Sequence, residues 1–207
     1  MKLKKLSLAK PKILFFLLSL FFILLSPGCN STLKVIPGQT AQEKLDLYNQ
    51  YMLIADEYFS LKKYDKAVLY YEECLKCEEL YWTAYYKIAK ISVIQSNWEK
   101  ALKMFNTLLE RDKENLTLKE NIAYIYAMKG EKEKAVSIYL ELIEVSPDVS
   151  TYYENLISVY ISIENAEEAE KYLLILKEKF PDSNKIENIT SLIESLKEEL
   201  KNKEKKN

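Results

Sequence analysis

The sequence contains no histidine, only three cysteines, three glycines and five prolines in 207 residues, and each shortage excludes something. Without histidine the commonest general base and the commonest metal ligand are both missing, so imidazole-based catalysis and most zinc chemistry fall away. So few glycines and prolines leave little material for the tight turns of a sheet protein. Arginine occurs once, at Arg111, and the other basic residues are lysines. Five of these (Lys2, Lys4, Lys5, Lys10 and Lys12) lie in the first 28 residues, which hold no acid, leaving 25 basic against 31 acidic residues in the remainder. A chain of that balance, with no basic stripe, is a poor nucleic-acid binder. What is abundant is apolar and aromatic: 48% of residues are hydrophobic and 16 are tyrosine, enough for one ordinary domain with a real core.

The first 28 residues read as a signal peptide. A lysine-rich start, "MKLKKLSLAKPK", is followed by the apolar run "ILFFLLSLFFILL" and by small residues before a cysteine. The run from Ile13 to Leu25 would reach about 20 Å as a helix, against the roughly 30 Å of hydrocarbon that a spanning helix must cross. The segment "LLSPGC" resembles the lipobox of bacterial lipoproteins, with Gly28 as the small residue and Cys29 as the acceptor. It departs from that pattern at Ser26, where an aliphatic residue is usual, and at Pro27. The resemblance implies cleavage before Cys29 and acylation (palmitate-like chains) of its thiol. Each buried methylene contributes about 0.8 kcal/mol, so several chains hold a soluble domain at a bilayer. An uncleaved anchor and ordinary secretory cleavage are the alternatives, and all three place the rest of the chain across the membrane, in a bacterial cell envelope. Residues 29–39 then form a tether with a turn at Pro37-Gly38.

From residue 40 to 200 the chain keeps a period. Ala67, Ala101, Ala135 and Ala169 are spaced by 34, and counting from Tyr48 gives units 48–81, 82–115, 116–149 and 150–183. Place seven holds Ile54, Ile88, Ile122 and Leu156, and place eight Ala55, Ala89, Ala123 and Ile157. Place eleven holds Tyr58, Ser92, Tyr126 and Tyr160, and place twenty-four Tyr71, Phe105, Tyr139 and Leu173. Pro147 and Pro181 stand at place thirty-two of the last two units. Small residues at eight and twenty let two helices approach, aromatics fill the gaps beside them, and a proline cannot continue the second helix.

This phasing resembles the tetratricopeptide repeat. The resemblance implies an all-α, right-handed α-solenoid of four helix-turn-helix units. A C-terminal capping helix over 184–200, with Ile186, Ile189, Ile193, Leu196 and Leu200 on one face, would close its far end. Residues 201–207 read as a charged, frayed tail, and Thr40 with Glu43 as a capping box before the first helix. Proteins of this family are binding scaffolds, which implies a protein or peptide partner, no catalysis, no cofactor and no metal. The family's inner-wall places carry over to Asn49, Met52, Asp56 and Phe59; Tyr86, Lys87, Lys90 and Val93; Glu120, Asn121 and Tyr124; and Glu154, Asn155 and Ser158. Aromatics there offer contact area at low entropy cost, and Asn121 and Asn155 offer donor and acceptor to a peptide backbone. The lysine and asparagine with which some members clamp a C-terminal carboxylate are replaced by Met52 and Asp56.

Two motifs compete with this reading. Adjacent glutamates such as Glu72-Glu73 and Glu167-Glu168 diverge by about 100° on a helix and cannot flank one bond. Cys74 and Cys77 have the C-x-x-C spacing of disulfide exchange, so a membrane-tethered thiol oxidoreductase is the rival enzyme reading and a self-assembling scaffold the rival structural one. Cys74 shares place twenty-seven with Leu108, Leu142 and Leu176, hence core. Cys77 shares place thirty with Arg111, Val145 and Lys179, hence partial exposure late in a second helix. The surrounding glutamates disfavour a thiolate, and a zinc site lacks two ligands. A disulfide between the two thiols stays open.

Overall fold

The computed structural model describes residues 38–205, so the leader, the acceptor Cys29 and the tether up to Pro37 lie outside the described residues. Among the described residues there are nine helices and no strand. They are α1 (Gln39–Ser60), α2 (Tyr64–Cys74), α3 (Glu78–Ile94), α4 (Trp98–Arg111), α5 (Leu116–Lys129), α6 (Lys132–Val145), α7 (Ser150–Ser162), α8 (Ala166–Lys179) and α9 (Ile186–Glu204). None of these helices is long and apolar enough to cross a membrane.

The second helices α2, α4, α6 and α8 begin at 64, 98, 132 and 166, holding the 34-residue period without slippage. One turn, repeated four times, fixes them. Place fifteen is left-handed in every unit, with φ of 56° at Lys62, 57° at Ser96, 89° at Gly130 and 58° at Glu164. The amide at place sixteen then donates back to the carbonyl at place eleven: Lys63 to Tyr58 and Asn97 to Ser92 at 2.8 Å, Glu131 to Tyr126 and Asn165 to Tyr160 at 2.9 Å. This is a Schellman ending, which satisfies the last carbonyls of the first helix while turning the chain. Asn97 and Asn165 then cap the next helix, accepting from the amides of Lys100 and Glu168.

The joins between units are less regular. Asn115 caps α5, and Pro147 and Pro181 fall in the later joins; α5 and α7 begin at the expected 116 and 150, while α9 begins at Ile186, two residues past the expected 184. The first join has neither proline nor asparagine cap, and α3 begins at Glu78, four residues ahead of the expected 82. This corrects the reading of Cys77. It is the residue before α3, not a late residue of α2, and it is buried, with 6% of its surface exposed. At the two ends the chain also differs from expectation. The first helix already includes Thr40, so that residue lies inside the first turn and not before it. The last helix runs on to Glu204, because Lys201 and Lys203 suit its carbonyl end and Lys203 holds both oxygens of Glu164 at 2.8 Å.

The alanines lie where helices cross. Places eight and twenty are wholly buried in all four units, including Ile157, which fills the space an alanine leaves elsewhere. Around them lie two groups of buried residues, one centred on units one and two and one on units three and four, with Tyr126 and Ile138 packed against both. The far end is covered by α9 through Ile189, Ile193 and Leu196. At the near end Ile54 is 38% exposed, whereas in the later units a preceding helix pair covers the same place.

Candidate functional site

The first helices carry the residues assigned to the inner wall, and the structure shows what each side chain does. At the join of units one and two, Asp56 accepts from Lys87 Nζ at 2.8 Å and from the hydroxyl of the wholly buried Tyr71. Burial pushes the Asp56 carboxyl up, but the bonds from Lys87 and Tyr71 and the lysine's charge outweigh it, so the net shift is downward. Burial and the bond to Asp56 hold the Tyr71 hydroxyl well above its usual range. Tyr86 stands edge-on to Phe105 at 5.9 Å, beneath Lys90 at 5.8 Å, and Phe59 packs on Tyr64 at 5.7 Å. Met52 and Val93 lie half-buried against the first core group, and Asn49 is exposed.

Further along, the wall becomes acidic. Glu120 accepts from Asn155 Nδ2 at 3.4 Å and from the Thr151 side chain, and burial raises its carboxyl above the usual range. Asn155 also bonds the Tyr139 hydroxyl. Glu154 accepts from Ser183 Oγ at 2.8 Å, and its carbonyl accepts from Ser158. Asn121 donates to the carbonyl of Thr117 at 2.7 Å. Each asparagine thus uses part of its amide within the fold, and neither offers a full donor set to a ligand.

Three of the assigned residues, Tyr124, Asn155 and Ser158, meet in a cleft of about 510 Å³ between α5 and α7. The cleft also takes in Met128, Lys129, Gly130, Lys132, Tyr139 and Ser162, which the carried-over places do not include. The signal for them was available, since Gly130 marks the turn at which α5 ends and α6 begins. Tyr124 is 41% and Met128 50% exposed here, large apolar area held on rigid helices. Lys129 is paired with Glu99 at 3.3 Å and Glu131 at 3.0 Å, and Lys132 donates to the Ser162 carbonyl at 2.9 Å.

The thiols are placed for packing. Both are free; Cys74 is buried and donates to the Tyr48 carbonyl at 3.5 Å, and Cys77 donates to Glu79 at 3.1 Å. Burial, then the neighbouring Cys77 and acidic groups, pushes the Cys74 thiol up to about 11. Burial and Glu79 also raise Cys77, so its place at a helix N-terminus does not make it a thiolate. Among the described residues no group of three or more cysteine or acidic side chains could hold a metal ion.

Stacked helix pairs, with first helices whose side chains are packed and mostly uncharged, define an α-solenoid. The tetratricopeptide-repeat family model matches residues 51–78 and 117–149, most of units one and three. Among solved structures, the chain is similar to a tetratricopeptide repeat protein from Parabacteroides merdae, with a TM-score of 0.62 and 19% identity over 73% of this chain and 60% of that one. MamA from Desulfovibrio magneticus RS-1 gives a TM-score of 0.59 at 13% identity, over 66% of this chain and 77% of that one. The thermophilic protein TTC0263 of Thermus thermophilus gives 0.55 at 20% identity, over 74% and 82%. No curated protein matches the sequence. The chain spans less than two thirds of the Parabacteroides protein, and at these identities the structural likeness speaks to fold alone. Together with the family match and the unbroken period, it makes this chain a tetratricopeptide repeat protein, a fold that serves as a scaffold for protein–protein interaction.

Proposed function

We propose that this protein is a non-catalytic adaptor held in the bacterial cell envelope by a lipid on Cys29, binding a segment of a partner protein along its first helices. The observation that carries the binding half is the cleft between α5 and α7, where Tyr124 and Met128 expose apolar surface beside the polar Asn155 and Ser158. Such a mixture gives area for affinity and a few directional groups for register. The anchoring half rests on the sequence "LLSPGC" and the lysine-rich leader. Buried, protonated thiols at Cys74 and Cys77 favour this reading over disulfide exchange.

A photo-crosslinking residue placed at Tyr124 tests the binding half, with the same residue at the exposed Leu174 of α8 as control. An adduct at Tyr124 and none at Leu174 is expected in cells; adducts at both or at neither sink the assignment. For the anchor, Cys29→Ala should abolish incorporation of labelled fatty acid and release the protein from membranes. Labelling that survives the change would exclude the lipobox.

A further inference from the structure

The two units that form the cleft carry a carboxylate at the same place: Glu120 and Glu154 both stand at place five, on the adjoining helices α5 and α7. Each is partly buried, and each is held by neutral donors, Asn155 and Thr151 for one and Ser183 for the other. Among the described residues neither has a lysine or arginine in ion-pair contact, although lysines pair with Asp56, Glu141 and Glu131 nearby. Neutral donors recover only part of a carboxylate's lost hydration, so each site keeps an unmet attraction for a cation. The contrast with Asp56 is internal to the molecule, since there the same wall supplies its own lysine.

Resting on the binding role proposed above, we infer that the partner segment is an extended peptide bearing a lysine or arginine that lies between Glu120 and Glu154, with apolar residues running on over Tyr124 and Met128. Adjoining helix axes lie about 8–10 Å apart, which one long basic side chain can bridge, or two residues spaced by about three along an extended strand. The partner's charge is thereby set opposite to that of a ligand gripped by its C-terminal carboxylate.

The test exposes the full chain, solubilised in detergent, to a display library of random decapeptides and sequences those retained. Lysine and arginine should outnumber aspartate and glutamate roughly tenfold relative to the unselected library, the scale of one charge-assisted contact. With Glu120→Gln and Glu154→Gln together, which keep the hydrogen-bond acceptors and so the fold, peptides should still be retained while the basic bias disappears. Retention without basic bias that is lost with Tyr124→Ala and Met128→Ala would overturn the cation inference and leave the cleft as the binding site. Retention indifferent to Tyr124→Ala and Met128→Ala would overturn the cleft itself.

Discussion

The first and third joins of the solenoid use the same buried tyrosine at place twenty-four and settle its hydroxyl in opposite ways. Tyr71 donates to Asp56, whose charge is answered by Lys87 from the next unit. Tyr139 meets the neutral Asn155, which bridges to a Glu120 that no lysine of the wall answers. At the second join the ring is Phe105, with no hydroxyl to satisfy, and the facing Asn121 turns to its own helix. A buried ring can be met by a phenylalanine and nothing more, but a buried hydroxyl recruits a polar partner from the inner wall. The first helices are therefore shaped from behind: the ring at place twenty-four decides which facing side chains are engaged within the fold.

The comparison is broken most forcefully by deleting each hydroxyl's partner. Asp56→Ala strands the hydroxyl of the wholly buried Tyr71 and frees Lys87, whose ammonium water can still reach, and should cost about 2 kcal/mol. Asn155→Ala removes a contact to the Tyr139 hydroxyl and a long one, 3.4 Å, to Glu120, which keeps Thr151 as a donor, and should cost about 1 kcal/mol. Urea denaturation followed by circular dichroism reads both, and equal losses would show that the two joins are held alike.

Acid titration sharpens the same contrast because the two carboxyls shift in opposite directions. Asp56 titrates below its unfolded value, so its contribution is complete above that value and is lost as pH falls through the folded one. Glu120 titrates above its unfolded value, so its ionised form disfavours the fold at neutral pH, and that penalty is relieved as pH falls through the folded value. Stability measured between about pH 3 and 7, where carboxylates titrate, should fall less steeply with acid in Asp56→Asn than in the unaltered chain. Glu120→Gln should be the more stable protein at pH 7 and lose that advantage toward pH 4. An advantage for Glu120→Gln that does not change with pH would mean its carboxylate is not the cause.

Much of this architecture is legible in the sequence, for a physical reason. A repeat imposes the same packing four times, so Ala67, Ala101, Ala135 and Ala169 had to recur, and Tyr71, Phe105 and Tyr139 with them. The partners of the inner wall could not be read, because a hydrogen bond between Asp56 and Lys87 joins residues 31 apart on different helices. Cys77 was misplaced for a related reason. The period is kept by the turns inside each unit, while the first join, lacking proline and cap, lets α3 start early and draws the thiol into the core.

The smallest effects concern those inner turns, of which only the third announced itself. Gly130 suits its left-handed backbone, whereas Lys62, Ser96 and Glu164 adopt the same conformation with a Cβ that disfavours it. A Cβ added at Gly130 would meet no heavy atom within 4 Å, so Gly130→Ala should cost only backbone strain, about 1 kcal/mol. The reverse change at the other three turns should add about 0.5 kcal/mol each, since relief of that strain is partly offset by the greater freedom of an unfolded glycine. Ser96→Gly isolates the backbone term best, because Glu164→Gly also removes the ion pair with Lys203, an exposed pair that contributes little. If thermal melts show Ser96→Gly destabilising, the left-handed turn is held by contacts of the serine side chain, and the four turns are not equivalent after all.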